Sequence, residues 1–395
     1  MTTDKHNKRP NVPPLRFPEF TEPWETAKLG DMTVNFSKRN KDEIEYPMYS
    51  VTNNRGFIPQ SEQFEDREMV SSDIKSYKII TKGDFAYNPA RINVGSIAKY
   101  NGDNDCMISS LYVAFRAKEQ INAEWLMQLL KTPKMNFYYN LNAEGGVRMY
   151  LFYPNFERIR TSYPSLNEQR KVAQFLDLLD HRIAVQSGLI NKLESLISGI
   201  TLSIVKSNNC ESIHLSELLT ERNEVNTAQY EVYSVSVSQG VVNQVDYLGS
   251  SFAAKDTSNY NVVHYGDIVY TKSPTGDFPY GIVKRSGQTD PVAVSPLYGV
   301  YKPASNEIGC FLHYYFCNPV SAKNYLHKLI QKGAKNTINI TNQRFLENTI
   351  KLPNTERLAI VVKLLNQLSV KKQRAEELLA LYRKQKQYLL SQMFI

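Results

Sequence analysis

Three residues in the second half of the chain, Cys310, His313 and Cys317, carry side chains that bind zinc. A structural zinc site needs four such ligands, and no fourth follows nearby. All three lie in or beside the aromatic stretch 311–316, which has the pattern of a helix. The sequence therefore predicts that they pack in a core and bind no metal.

A second candidate for chemistry is the tetrapeptide Tyr87-Asn88-Pro89-Ala90. Amino-methyltransferases hold a flipped adenine with an Asn-Pro-Pro-aromatic loop, but here Ala90 and Arg91 replace the second proline and the stacking aromatic. Neither a glycine-rich cofactor loop after a strand nor a Gly-Lys-Ser/Thr phosphate loop accompanies it. We therefore expect a loop that touches DNA and a chain without catalysis of its own.

Side chains able to read base edges cluster on loops in two parts of the chain. Arg and Lys match guanine, Asn and Gln match adenine, and hydroxyls match either. The first set is Asn53, Asn54, Arg55, Arg91, Asn93 and the loop Gly145-Gly146-Val147-Arg148. The second set is Ser236, Ser238, Gln239, Lys272, Ser273, Thr275, the loop 333–337 with Lys335, Asn336 and Thr337, then Asn339, Asn342 and Gln343. Polar loop residues are usually solvated or bound to phosphate, and Lys38, Arg39 and Arg148 are predicted phosphate contacts.

Both sets lie in a segment that occurs twice. Tyr49-Ser50-Val51 recurs as Tyr233-Ser234-Val235, Gly83-Asp84 as Gly266-Asp267, and Leu111-Tyr112 as Leu297-Tyr298. This period is too long for a solenoid repeat, so each copy should be a domain with its own core. Short β-rich segments alternate with turn signals and helical patterns in each, which predicts two similar α+β domains.

Two long helical patterns follow the two copies. The first seam is Val172, Leu176, Leu179, Ile183, Gln186, Ile190, Leu193, Ile197, Ile200 and Ile204. The second is Leu358, Val361, Leu365, Leu368, Lys372, Ala375, Leu379, Tyr382, Lys386, Leu389 and Met393. Alternating spacings of four and three predict coiled-coil helices, which satisfy each other as an antiparallel pair. The alternative is that one or both helices dimerise with another chain.

Composition restricts the class of partner and compartment. The 395-residue chain has a formal net charge of +8 and a pI near 9.0, which favours polyanionic partners such as DNA or RNA. The four cysteines lack the spacing of a disulfide framework, and no apolar run of eighteen residues or signal peptide occurs. We expect a cytoplasmic protein with no membrane segment.

A basic run on the C-terminal helix could line DNA. It comprises Lys371, Lys372, Arg374, Arg383, Lys384 and Lys386, but Glu376 and Glu377 interrupt it. A solvated face or a protein contact is therefore an equal alternative.

Two strings of residues resemble the specificity (S) subunits of type I restriction-modification systems. The first is Leu15-Arg16-Phe17-Pro18-Glu19-Phe20 with Pro23-Trp24-Glu25 and Lys28-Leu29-Gly30-Asp31. The second enters the first long helix, from Pro164-Ser165-Leu166-Asn167-Glu168-Gln169 to Phe175-Leu176. The second copy departs from this pattern, with Pro353-Asn354-Thr355-Glu356-Arg357 at the same place. Domain order and repeat extend the resemblance over essentially the whole chain.

The resemblance implies a division into five parts. These are an N-terminal segment (1–24), target-recognition domain 1 (25–163), a first spacer helix (164–207), target-recognition domain 2 (208–352) and a second spacer helix (353–395). Each domain would read half of a bipartite, asymmetric double-stranded DNA site, and the helices would set the unread gap.

The resemblance also implies partners and cofactors. Two methyltransferase (M) subunits would dock on the helices, and two restriction (R) subunits would join for cleavage. S-adenosylmethionine would belong to the M subunit, ATP and Mg to the R subunit, and no cofactor to this chain. Two other classes remain open. One is an enzyme acting alone, as a DNA methyltransferase or nuclease, and the other is a coiled-coil scaffold without sequence preference.

Overall fold

A computed structural model describes residues 11–63, 74–250, 253–332 and 338–395, and the chain divides into two units. The first unit comprises Met1–Val185 and Leu378–Ile395, and the second comprises Gln186–Glu377. The end of the chain thus completes the unit formed by its beginning.

Short strands and helices build the first unit. Its strands are β1 Glu25–Lys28, β2 Thr33–Phe36, β3 Tyr49–Thr52, β4 Gly56–Pro59, β5 Lys78–Ile80, β6 Phe85–Tyr87, β7 Ile97–Lys99, β8 Cys106–Ile108, β9 Val113–Ala117 and β10 Arg160–Tyr163. Its helices are α1 Leu29–Met32, α2 Gln60–Gln63, α3 Ala123–Leu130, α4 Pro133–Asn142 and α5 Tyr153–Phe156, and 3-10 turns form at Ile74–Ser76 and Ile92–Val94. The long helix α6, Leu166–Lys206, starts here and continues into the second unit.

The second unit repeats this series of elements. Its strands are β11 Glu211–His214, β12 Leu219–Glu221, β13 Tyr233–Ser236, β14 Gly240–Asn243, β15 Asn261–Val263, β16 Ile268–Thr271, β17 Ile282–Arg285, β18 Val292–Val294, β19 Gly299–Pro303, β20 Gln331–Lys332, β21 Ile338–Asn339 and β22 Thr349–Leu352. Its helices are α7 Leu215–Leu218, α8 Gln244–Leu248, α9 Asn306–Cys317, α10 Pro319–His327, α11 Asn342–Phe345 and the long α12 Thr355–Gln392.

The two units share one sheet topology. A four-stranded antiparallel sheet has the order β2-β9-β6-β7 in the first and β12-β19-β16-β17 in the second. The smaller pairs also correspond: β1-β10 to β11-β22, β3-β4 to β13-β14, and β5-β8 to β15-β18. This confirms the two similar α+β domains predicted from the internal repeat.

Alternation along the central strands gives each sheet two apolar faces. Phe85 and Tyr87 of β6 enter an aromatic core, while Ala86 between them joins a second cluster on the other face. In the second unit Ile268 and Tyr270 face the aromatic core, and Val269 joins the second cluster. In each unit the smaller apolar cluster packs under the two-stranded pairs, and the aromatic core packs under the helices.

One phenylalanine occupies the centre of each aromatic core. Phe156 of α5 lies 5.3 Å from the ring of Tyr87, and Phe345 of α11 lies 4.7 Å from the ring of Tyr270. Both phenylalanines are fully buried. Stacked and tilted rings at these distances add to the stabilisation from burial alone.

The long helices pair as an antiparallel coiled coil, as predicted. Every apolar residue of both predicted seams is buried or half-buried. In the first unit Asp180 of α6 bonds Lys386 of α12 at 2.5 Å, and in the second Glu194 bonds Lys372 at 2.8 Å. As residue numbers rise along α6, the numbers of the facing residues fall along α12, so the two helices are antiparallel.

Polar seam residues have partners as well. Gln186 donates its amide to the backbone oxygen of Ala375 at 3.0 Å. The ammonium groups of Lys372 and Lys386 are half-buried and bound to carboxylates on the facing helix. A polar residue in a seam fixes register because other registers would leave it unpaired.

The N-terminal segment binds the start of α6 through one buried carboxylate. Glu168 is 1% exposed and accepts bonds from Arg16 Nε and Nη2, both at 2.7 Å, and from Trp24 Nε1 at 3.2 Å. The next residue, Gln169, accepts a bond from the backbone N–H of Asn122, the N-cap of α3. The Glu-Gln pair of the sequence motif is therefore a structural joint between the segment, α3 and α6.

Within the described residues, α6 is long and apolar enough to cross a membrane by length and composition alone. Most of its seam residues pack in the cores of the two units. The seam thus accounts for one apolar stripe of the helix, while Leu178, Val185 and Leu189 outside it are exposed.

Candidate nucleic-acid interface

The first predicted reading element of unit 1 is the turn between β3 and β4. Asn53, Asn54 and Arg55 are all exposed on it. Thr52 Oγ1 accepts the backbone N–H of Arg55 at 3.1 Å, and Gly56 follows with φ +66°. The Thr52 hydroxyl and the positive φ of Gly56 thus hold the turn, and the side chains at its tip are exposed.

The second reading element is the loop after β6, which touches this turn. Ser96 Oγ donates to the backbone oxygen of Val51 in β3 at 2.6 Å. Arg91 and Asn93 are exposed on this loop. Asn93 donates its amide to Asn140 Oδ1 of α4 at 3.0 Å, so part of its bonding capacity is already used.

The third element is the hairpin after α4. Two backbone bonds between Glu144 and Tyr150, at 2.9 and 2.8 Å, close a loop over residues 145–149. Gly145 has φ +137°, and a Cβ there would lie 2.1 Å from the backbone oxygen of Arg148. Only glycine fits this position.

The hairpin presents a cation and an apolar tip together. Arg148 is exposed, and Val147 is fully exposed at 105%. The backbone N–H of Leu151 donates to Pro89 at 3.0 Å, which joins the hairpin to the loop carrying Arg91. Turn, loop and hairpin thus form one continuous surface in unit 1. Sequence reasoning included Val147 in the loop without a role, although a thymine methyl or an opened base step is a suitable partner for such a tip.

A cleft of about 650 Å³ lies beside the first turn. Asn53, Asn54 and Arg55 line it together with Lys99 and Lys131. Lys99 is paired with Glu124, and Arg55 bonds Glu62 at 2.7 Å on the surface. The exposed Arg55 pair is weak enough for a phosphate or a base to replace it.

Lys38 and Arg39 lie at another place in the unit. Both are exposed, and their backbones pair with β5 through Lys78 and Ile79. Burial, and then the charge of Arg39, lower the pKa of Lys78. The contacts that join the three reading elements do not include Lys38 or Arg39.

Unit 2 repeats the first turn with other side chains. Ser236 Oγ accepts the backbone N–H of Gln239 at 3.4 Å, as Thr52 does for Arg55, and Gly240 has φ +78°. Ser238 and Gln239 are exposed where the first copy has Asn54 and Arg55. The same turn therefore offers different donors and acceptors.

The loop after β16 carries Lys272, Ser273 and Thr275. Ser273 and Thr275 are exposed and Lys272 is half-buried. Burial lowers the pKa of Lys272 while Glu221 opposes that change. Backbone bonds between Thr275 and Phe278, at 3.1 and 2.8 Å, close a tight hairpin beyond it.

The third element of unit 2 is only partly described. Lys335, Asn336 and Thr337 lie outside the described residues, as does the side chain of Asn339. Strands β20 and β21 bracket residues 333–337, as the Glu144–Tyr150 bridge brackets 145–149. Gln343 is exposed, whereas Asn342 donates its amide to Glu221 at 2.9 Å and acts in packing.

The long basic run separates into two groups. Lys372 and Lys386 are seam residues bound to carboxylates and face the partner helix. Lys371, Arg374, Arg383 and Lys384 are exposed. Lys371 and Arg374 line an open groove of about 710 Å³ with Lys363 and the start of α9.

The methyltransferase-like tetrapeptide, residues 87–90, is hydrogen-bonded within its own turn. Asn88 Oδ1 accepts the backbone N–H of Ala90 at 3.0 Å, and Pro89 supports the hairpin through Leu151. One acceptor position of the Asn88 amide oxygen is therefore used within the loop itself. In the described part of the chain no group of three or more His, Cys, Asp or Glu side chains could hold a metal ion.

Comparisons with known proteins agree with this architecture. Residues 21–195 match the family model of the type I restriction modification DNA specificity domain. The crystal structure of a type I restriction-modification S subunit from M. genitalium has a TM-score of 0.58 and 12% identity, over 97% of this chain and 99% of that one. A chain from a study of complex assembly and conformational transition of the type I R-M system has a TM-score of 0.51 and 14% identity, over 93% of this chain and 96% of that one. No curated protein matches the sequence significantly.

Proposed function

We propose, from the premise that residues 21–195 belong to the type I restriction modification DNA specificity family, that the two units read the two halves of a bipartite, asymmetric DNA site. The observation that carries this proposal is the pair of matching turns. In unit 1 the turn between β3 and β4 presents Asn54 and Arg55. In unit 2 the corresponding turn between β13 and β14 presents Ser238 and Gln239. One scaffold with two sets of donors and acceptors suits two different half-sites.

The chain positions DNA in this proposal and leaves the chemistry to its partners. Methyltransferase subunits would carry S-adenosylmethionine and extrude an adenine in each half-site, and restriction subunits would use ATP and Mg. Ala90 and Arg91, which replace the second proline and the stacking aromatic of an adenine-binding loop, support the absence of base chemistry in this chain. A specificity subunit of such a complex would work in the cytoplasm.

Exposed apolar residues on the long helices support docking of two methyltransferase subunits. Leu178, Val185 and Leu189 of α6 are 45–66% exposed outside the seam. On α12, Ile360 and Leu381 are 64% and 62% exposed. Apolar residues on the outer faces of a coiled coil suit a protein interface.

Methylation mapping tests the proposal. The chain is expressed with and without its neighbouring methyltransferase subunit in a methylation-free host, and modified adenines are mapped across the genome by long-read sequencing. A split motif with an unread gap, present only when both proteins are made, is the expected result. Methylation by this chain alone, or a contiguous motif, would overturn the proposal in favour of an enzyme. No methylation by an assembled complex with bound cofactor would favour a scaffold.

A further inference from the structure

A buried lysine lies against a cysteine in the second unit. Lys284 of β17 is 5% exposed. Among the described residues its ammonium group donates to a single recorded acceptor, Cys317 Sγ, at 3.3 Å. Burying an ammonium group costs several kcal/mol unless an opposite charge or strong acceptor compensates, by a general order-of-magnitude argument. The thiol of Cys317 is the group that can supply that charge.

The imidazole ring of His313 lies against the same sulfur. Cys317 Sγ is 3.7 Å from Nε2 and 4.0 Å from Nδ1, and the backbone N–H of Arg285 donates to Nδ1 at 3.3 Å. The sulfur therefore lies between a buried ammonium group and the imidazole ring, and the positive charge of the ammonium group favours the thiolate.

The surroundings contain few other titratable groups that act on the sulfur. On its own helix α9, Tyr314 donates its hydroxyl to Asn366 of α12 at 2.9 Å. On α10 and β19, Tyr325 and Tyr301 donate theirs to the backbone oxygens of Phe345 and Asn342. Burial alone would raise the pKa of Cys317, but its interactions with His313 and Lys284 outweigh burial and lower the pKa to about 6.

We propose that Cys317, held by Lys284 and His313, is a nucleophilic thiolate at which peroxides and alkylating electrophiles modify this chain. With hydrogen peroxide, the sulfur electron pair forms an S–O bond, the O–O bond breaks, and the leaving hydroxide takes a proton from solvent. The products are a cysteine sulfenic acid and water, with peroxide as the oxidant.

The position of Cys317 connects this site to the packing of unit 2. The next residue, Asn318, caps α10 through the backbone N–H of Ser321 and donates to Ser198 Oγ of α6 at 2.6 Å. Cys317 itself is half-buried, so part of the residue contacts solvent. A modified sulfur would lie one residue from the contact with α6.

The pH profile of alkylation tests the thiolate. The purified full chain reacts with a low concentration of iodoacetamide from pH 5 to 9, and peptide mass spectrometry gives the rate at each cysteine. The Cys317 rate should be half-maximal near pH 6 and change less than about twofold from pH 7 to 9, while glutathione in the same tube gains more than about tenfold. A midpoint at pH 8 or above, or labelling only after denaturation, would overturn the proposal.

Variants separate the charge of Lys284 from its packing. Lys284→Met should move the midpoint up by more than one pH unit, and Lys284→Arg should keep it below about 7.5, each with circular dichroism to verify folding. An unchanged midpoint in a folded Lys284→Met protein would contradict the role of the lysine. If neither variant folds, the wild-type pH profile still tests whether Cys317 is a thiolate. Peroxide treatment of the wild-type protein followed by dimedone trapping is a second test. Cys317 should be trapped before Cys106, because burial raises the pKa of Cys106 to about 12.

Discussion

Glu168 is a buried carboxylate whose three bonds join separate parts of the first unit. Its partners Arg16 and Trp24 come from the N-terminal segment, which precedes only the first copy. In the second copy, β11 follows directly from the end of α6, and no separate segment needs a joint. This gives a physical reason for the divergence of the motif to Glu356-Arg357, which sequence alone does not provide.

Glu168→Ala should destabilise the first unit. It leaves the Arg16 guanidinium, 13% exposed, without its charge partner, and breaking a buried pair costs about 3–5 kcal/mol. Hydrogen-exchange mass spectrometry should show faster exchange in residues 15–24, and thermal unfolding should begin earlier. Glu119→Ala, at an exposed carboxylate, is the control and should change neither. Unchanged exchange in the Glu168 variant would mean that the segment is held elsewhere.

Arg148→Ala tests the predicted phosphate contact. Loss of one such contact should weaken binding of all DNA sequences similarly and reduce the slope of log K against log salt by about 1. Arg158→Ala removes an exposed cation of the same unit and should leave the slope unchanged. The DNA-binding constants of both variants, measured at several salt concentrations, give this slope. A loss confined to one DNA sequence would instead assign Arg148 to base reading.

The long helices were the most predictable elements of the chain. Apolar residues at a/d spacing predicted both seams because burial of a stripe depends on local periodicity. The lysines in the second seam were less predictable. Lys372 and Lys386 belong both to the predicted seam and to the basic run, and the sequence does not reveal their partners Glu194 and Asp180, which are about two hundred residues away.

Lys372→Glu should weaken the coiled coil of the second unit. The change brings a carboxylate next to Glu194 and Glu376, and partly exposed pairs of this kind contribute up to about 1 kcal/mol. A second change, Glu194→Lys, should restore part of the melting temperature by reversing the pair. Lys371→Glu, one position away on the exposed side, is the control. Equal falls in melting temperature for Lys372→Glu and Lys371→Glu would argue against the pair of Lys372 with Glu194.

The sequence predicts where the reading loops lie, but it does not predict which of their side chains contact DNA. Their polar residues stand out at corresponding places in a repeat, but which of them are free depends on distant neighbours. Asn93 bonds Asn140, and Asn342 bonds Glu221 across 121 residues. Periodicity carries no information about such pairs, so the assignment of individual base contacts stays a prediction.

Across the whole molecule, two readers on one chain predict separable specificities. Replacing residues 333–337 and 339–343 with those of another specificity subunit should change one half of the methylated motif only. A matched exchange of residues 145–149 should change the other half. Methylation mapping of both variants is the measurement. A change in both halves of the motif from either exchange would contradict the proposal that each unit reads one half-site.

Buried tyrosines in both units predict loss of stability in alkali. Burial raises the pKa of Tyr139, Tyr270 and Tyr325, and that of Tyr315 to about 12. Because the folded pKa values exceed the unfolded value near 10, their contribution is complete below about pH 10 and is lost as pH rises through the folded pKa. Melting temperatures should therefore fall above about pH 10. The fall between pH 10 and 12 should be shallower for Tyr315→Phe, and equal slopes would contradict this assignment.

The chain has two tryptophans, and Trp24 and Trp125 both lie in the first unit with ring centroids 6.1 Å apart. Indole emission from the whole protein is therefore a signal from one half of it. Trp24 donates to Glu168, so this light also reports on the joint at the start of α6. The second unit contains no tryptophan, so it gives no indole emission. A fluorophore of a different emission wavelength attached there would report on that half separately in the same titration with DNA.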